Sequence, residues 1–387
     1  MSKSPEIRVN PELLIWARES SGIEIPEVAK RFKIRDEVVE SWERGEKPIT
    51  YLRLESLADF YQRPLAALFL PHAPADFATP TDFRTSGKNI KITREIRHAV
   101  RRSRLIRNTF FEINENYKKF ERKKITIQND PEKIAKSERE NLGITFEVQR
   151  KWGVGREAFN NWIKILEENG IIILQMGFPI DELNGFSLGD GEKAPVIVIN
   201  SRDVFPRKIF TLFHEYCHLL LDANGICKLK IDSKEFQKET SIESFCDKFA
   251  SAFLVPDNIL LERPEINLVK NKEEGDKAIK RLADMFKVNR QVILLRLFLK
   301  NHISRDFYDD KKKQYDREFI GILKKKKEAE KKSPGGPPPH IMAVSQNGKL
   351  FTRTVLSAYR QGRISNKEIS TYLGVKLQHI PNIESII

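Results

Sequence analysis

Residues 205–222, FPRKIFTLFHEYCHLLLD, are apolar on nearly every side, yet they hold His214, Glu215 and His218 in their middle. A helix that is hydrophobic all round belongs in an interior, so the chain must wrap other elements around this one. Buried polar groups need partners, and leaving one without any costs roughly 1–3 kcal/mol. On a helix, residues four apart lie about 40° from each other around the axis. His214 and His218 therefore share one face, with Glu215 about 100° round from His214.

Two imidazoles one turn apart supply half of a tetrahedral zinc site, and a carboxylate beside them is placed to take a proton from a water molecule there. This is the His-Glu-x-x-His pattern of metalloproteases. The competing account is two core histidines, each hydrogen-bonded within a buried helix. Cys217 falls on a different azimuth and reads as packing. A catalytic zinc needs a third protein donor and one open position. Asp222, eight residues after His214, lies near the same stripe. Glu243, in IESFCDKFASAFLVP (242–256), begins a second apolar helix that packing would bring to the first. A helix-start carboxylate favoured by the macrodipole is the plain alternative for Glu243.

At 387 residues the chain exceeds one typical domain. The pattern predicts an α+β protein that is predominantly α. Residues 1–75 read as four or five short helices. Residues 76–135 hold a connector and a basic helix. Residues 136–300 mix helix 157–170, strands 171–176, 185–188 and 196–200, and the helix from about Phe205 to Leu221. Residues 301–345 are a helical segment followed by a linker, KKSPGGPPPHIMAVSQNGK, whose Pro and Gly cluster forms neither regular element. Residues 346–387 make a small helical module. A weak internal repeat links residues 29–38, 283–292 and 370–379, each with a helix, turn, helix layout.

Net charge is +14. Residues 88–124 alone carry 13 Lys or Arg against 4 Glu, a net +9 in one predicted helical stretch. That stretch is either a solvated face or a docking surface for an acidic partner or a phosphate backbone, DNA included. Three scattered cysteines do not build a disulfide framework. With no long apolar run and no secretory leader pattern, the expectation is a cytoplasmic protein without membrane contact.

FTLFHEYCHLLLD followed about 25 residues later by IESFCDKFASAFLVP resembles the ImmA/IrrE family of zinc-dependent metallopeptidases, and EENGIIILQM, GFSL and APVIVIN resemble the strands that precede its active-site helix. The resemblance implies a zincin-like domain with one zinc per chain, held by His214, His218 and Glu243, with Glu215 as general base. Cys246 and Asp247 stand where the family commonly has Ala-Asn, and Asp247 is placed to orient a ligand histidine. The implied reaction is a single cut in a DNA-binding repressor, with strand APVIVIN aligning the substrate if it forms a sheet edge.

Residues 17–69 resemble the Cro and cI type of repressor-like helix-turn-helix domain often fused to this peptidase. Arg35, Ser41 and Arg44 are the residues that would face DNA. Residues 1–74, however, hold 11 Lys or Arg against 12 Asp or Glu, and a net negative module suits a protein partner as well as DNA. The other reading is a helix-turn-helix transcription regulator whose peptidase-like domain senses or docks without cutting.

Overall fold

Proline opens helix after helix in this chain, because at the first helical position its missing N–H is not needed and its fixed φ already suits the helix. The computed structural model describes residues 4–74, 93–114, 117–121, 123, 125–180, 182–189, 193–221, 226–227, 242–271, 273–332 and 335–387. These fall into two compact units, Met1–Arg102 and Ser103–Ile387.

In the first unit, β1 (Glu6–Ile7) precedes α1 (Pro11–Ser20), α2 (Ile25–Phe32) and α3 (Asp36–Glu43); β2 (Ile49–Thr50) then leads into α4 (Tyr51–Tyr61). Four α-helices and a 3-10 turn over Leu65–Phe69 stand where four or five helices are expected. Asn10 caps α1 through its side chain. Buried Arg18 and Glu43 join α1 to α3, with Nε donating to Oε1 at 2.7 Å and Nη2 to Oε2 at 2.9 Å. Leu13, Val28, Val39, Leu54 and Leu57 fill the interior between the helices.

Helix α5 (Arg94–Ile113) ends well before residue 124, shortening the predicted basic helix. The reason is tertiary: a Cβ at Gly170 would stand 2.2 Å from the Lys118 carbonyl oxygen, so the chain after α5 lies flat against Gly170. Phe120 then meets the ring of Tyr216 edge-on at 6.2 Å. Much of the positive charge of α5 serves the fold. Arg101 donates to the Ser20 carbonyl at 3.1 Å, Arg107 to that of Ala194 at 2.9 Å, and Arg94 to that of Phe60.

The second unit continues through α6 (Pro131–Asn141), α7 (Phe146–Arg150) and α8 (Arg156–Glu168) into β3 (Ile172–Met176), β4 (Gly185–Leu188) and β5 (Val196–Asn200). Next come α9 (Phe205–Leu220), β6 (Ile226–Cys227) and α10 (Ile242–Leu254). The sheet runs β3-β5-β4-β6, with β3 and β5 parallel and the other pairs antiparallel. Strand β5 is therefore interior to the sheet, and alignment of a substrate along it by strand addition is ruled out. Helix α9 lies against β4 and β5. A Cβ at Gly185 would lie 2.7 Å from Thr211 Cγ2 and 3.5 Å from Glu215 Cγ, and one at Gly189 would lie 2.9 Å from Leu219. Glycine at these positions is what lets strand and helix approach so closely.

Helix α9 is buried along its length as its composition requires. Phe213 stacks on Phe253 of α10 at 4.2 Å and meets Trp162 of α8 edge-on at 4.8 Å. Each such ring contributes roughly 1.5–3 kcal/mol on burial. Side chains cap the C-terminus of α10: Arg139 donates to the Phe253 carbonyl at 2.7 Å and Gln149 to that of Leu254 at 3.0 Å. These bonds satisfy carbonyls the helix itself cannot and fix where its other end points.

Beyond α10 lie α11 (Asp257–Leu260), α12 (Glu265–Leu268), α13 (Gly275–Phe286), α14 (Arg290–Leu299) and α15 (Arg305–Lys332), followed by α16 (Pro339–Asn347), α17 (Lys349–Arg360), α18 (Asn366–Leu373) and α19 (Ile380–Glu384). The predicted irregular linker is partly helical, since α16 starts at Pro339 and uses it as a first-turn residue. The internal repeat is a shared joint. Lys33, Lys287 and Gly374 each end a helix at positive φ, 54°, 60° and 67°. The next residue in each case donates back to a carbonyl five earlier, from Ile34 to Ala29, Val288 to Ala283 and Val375 to Ser370. That is the left-handed helix stop that lets a second helix turn back on the first.

Helices α16 and α17 pack on β3. Glu167, buried at the end of α8, accepts the Leu350 N–H of the first turn of α17 at 3.1 Å. Burial raises the Glu167 carboxyl to about 7, against the smaller opposing pull of the α17 N–H groups, Arg353 and Lys349. A folded-state pKa above the ordinary 4.5 means the neutral form suits the fold, so this contribution is complete below about pH 4.5 and is lost as pH rises through about 7. Glu167→Gln is expected to abolish that loss, which amounts to about 3 kcal/mol. Urea midpoints of the second unit at roughly pH 5 and pH 8 check it; equal slopes with pH in the two proteins would show that Glu167 is not responsible.

Candidate metal centre

Two helices deliver the polar cluster. His214 and His218 lie 1% and 2% exposed on α9, and Glu215 between them is 0% exposed. From α10, the Glu243 carboxylate reaches both rings, with Oε2 at 3.3 Å from His214 Nε2 and Oε1 at 3.5 Å from His218 Nε2. The two Nε2 atoms are 3.2 Å apart. Donors bound 2.0–2.1 Å from a tetrahedral ion stand about 3.3 Å from one another. The separation of the two nitrogens matches that edge, one carboxylate oxygen lies near that distance from each ring, and two imidazoles with one carboxylate form a donor set suited to zinc. The residues therefore fit the metal that the resemblance implies.

Asp247, one turn after Glu243, holds His214 from behind: Nδ1 donates to Oδ1 at 2.8 Å. Tying that proton to a carboxylate leaves Nε2 bare and directed at the other donors. Burial pushes the Asp247 carboxyl up, while the hydrogen bond from His214 and the charge of Lys312 oppose the shift. Burial also lowers His218 to about 4. Its ring is neutral at ordinary pH, the form that binds a metal. Helix α15 adds two residues that nothing in the sequence pattern flags. Tyr308 and Lys312 are close enough to act on Asp247 electrostatically, and the Asp247 charge adds to burial in raising the Tyr308 hydroxyl.

Glu215 is not one of the three converging donors. It sits on α9 under β4, beside Gly185. The Glu243 side chain is 47% exposed, so the cluster meets solvent through this carboxylate while both rings stay buried.

Among the remaining sequence candidates, Asp222 lies outside the described residues. Cys217 is buried core, as its azimuth indicates. Cys246 belongs to the same core, but in addition its sulfur and one ring nitrogen from each of His214 and His218 all lie within 4.8 Å of one another. Sequence reading noted Cys246 only as a departure from a family pattern. Its spacing of three from Glu243 was the available signal.

The residues expected to face DNA are dispersed in their roles. Ser41 is buried, with Oγ donating to the Val38 carbonyl at 2.7 Å, so it cannot reach a phosphate or a base. Arg44 pairs with Glu46 at 2.7 Å and Glu40 at 3.1 Å, two carboxylates that cancel its charge. Arg35 is exposed at the start of α3, next to Asp36 and Glu37. Among the described residues no helix is long and apolar enough to cross a membrane.

Residues 166–298 match the family model described as the IrrE N-terminal-like domain, a peptidase family. The matched segment runs from the end of α8 to α14 and contains α9, α10 and the whole sheet; Tyr308 and Lys312 fall beyond it. No curated protein and no solved structure matches the chain.

Proposed function

We propose that the second unit is a zinc-dependent endopeptidase that makes a single cut in a DNA-binding repressor and so relieves repression. One observation carries the reading. Two imidazole nitrogens stand 3.2 Å apart, and the Glu243 carboxylate straddles them with Oε2 at 3.3 Å from one and Oε1 at 3.5 Å from the other, while a buried glutamate lies on the same helix as the histidines.

His214, His218 and Glu243 would hold the ion, which when bound supplies a Lewis acid for the scissile carbonyl and for water. The side chains do the rest. Asp247 keeps the His214 ring in one tautomer and one orientation. Glu215 takes a proton from the attacking water and returns it to the leaving amine, and its burial against β4 keeps the carboxylate in one place for both transfers. The apolar rings of Phe210, Phe213 and Phe249 exclude bulk water and strengthen the electrostatics of the cluster.

The substrate class comes from the resemblance. The helical part of the first unit, residues 1–74, with a slight negative charge, a buried Ser41 and a self-paired Arg44, suits recognition of a protein better than of DNA. The full-length protein, dialysed against zinc and desalted, is expected to carry about one zinc per chain. Co-expressed with a small helix-turn-helix repressor encoded next to its own gene, it is expected to leave two fragments of that repressor, seen by intact mass. A protein that takes up no zinc would defeat the proposal outright.

A further inference from the structure

We infer that Cys246 is a fourth donor to the metal of this site, so that the resting protein holds a closed centre of two histidines, one glutamate and one cysteine. The inference rests on the zinc reading above and adds what occupies its last corner. Helix α9 contributes a pair of donors four residues apart, and α10 contributes Glu243 and Cys246 three apart, a spacing that puts both on one face. Cys246 is 0% exposed, and its sulfur belongs to the same 4.8 Å cluster as one nitrogen from each histidine.

The distance is workable. With zinc–nitrogen bonds of 2.0–2.1 Å and zinc–sulfur bonds of 2.3 Å, nitrogen and sulfur donors of a tetrahedron stand about 3.6 Å apart. The 4.8 Å limit of the cluster exceeds that separation by about 1.2 Å, a gap that rotation about the single χ1 torsion of cysteine can close. Thiolate is the softest donor available there and is favoured by zinc over water. Plain packing is the competing role for a buried cysteine. Cys217 has that role, on the same helix as the histidines and outside the donor cluster, which makes it an internal control.

A fully protein-ligated zinc is the arrangement of structural sites, whereas hydrolysis needs a position open to solvent. Cys246 thus makes hydrolysis conditional on the sulfur leaving its corner. The test is zinc-edge X-ray absorption on the full-length, zinc-loaded protein. The expected shell has one sulfur at about 2.3 Å and three nitrogen or oxygen neighbours at about 2.0–2.1 Å. Cys246→Ser and Cys246→Ala are each expected to lose the sulfur while keeping about one zinc per chain, and Cys217→Ser to retain it. In the cobalt-substituted protein the sulfur-to-cobalt charge-transfer band should follow the same pattern. A wild-type shell of nitrogen and oxygen alone overturns the role of Cys246 and leaves the zinc reading standing. A sulfur that survives both Cys246 substitutions also overturns it. Failure to take up zinc overturns both.

Discussion

Glu215→Gln is expected to lower the rate of peptide cleavage by about 10²–10⁴-fold while leaving zinc content at the wild-type level. The asymmetry between the two readouts follows from position. Glu215 follows His214 directly, yet it lies outside the trio whose mutual separations are 3.2–3.5 Å. Removing its charge therefore does not disturb ligation. Glutamine keeps the volume, so the contact of α9 with β4 at Gly185 survives. What disappears is the ability to accept a proton from water and to hand it on, two roles that fall on one carboxylate. Cleavage can be followed by intact mass and zinc by elemental analysis on the same sample. A variant that retains zinc and cleaves within about threefold of the wild type shows that the base is some other group.

His218→Ala carries the second large effect, on affinity. It removes one of the two imidazoles, and the donors that remain do not hold zinc at neutral pH against a chromophoric chelator. Zinc content after chelator competition is expected to fall from about one per chain to near zero. Asp247→Asn separates ligation from orientation. Its carboxylate contacts His214 Nδ1 at 2.8 Å and contributes none of the three converging donor atoms. Loss of such a partner typically weakens metal binding by about 10–100-fold. The expected order of affinity is wild type, then Asp247→Asn, then His218→Ala. Wild-type affinity in His218→Ala would show that the metal, if any, is held elsewhere.

The elements nearest the site were the most legible. The helix over 205–221 and the strands at 171–176, 185–188 and 196–200 are visible because apolar runs of those lengths, bounded by Gly, Asn and Pro, have few other ways to fold. The left-handed joints after residues 32, 286 and 373 showed through as a faint repeat. Their geometry is local, and a helix stop leaves the same mark wherever it occurs. The role of the basic stretch of 88–124 was not legible, for the opposite reason. Charge along a sequence says nothing about which arginines turn inward, and Arg101 and Arg107 do so to bond carbonyls more than 80 residues away in the chain. Ser41 failed the same way, since one polar residue on an amphipathic helix carries no sign of the face it takes.

By itself the sequence determined that His214, Glu215 and His218 lie within one turn of a buried helix, because spacing along a helix is covalent and the surrounding residues are apolar. Whether Glu243 reaches them, which strand lies over Glu215, and that Cys246 rather than Cys217 stands beside the imidazoles were decided only by tertiary structure. These depend on how α10 crosses α9, an angle set by Phe213 stacking on Phe253 and by Arg139 and Gln149 tying down the far end of α10. Contacts among residues 40 to 114 positions apart in the chain leave no periodicity for a reader of sequence to find.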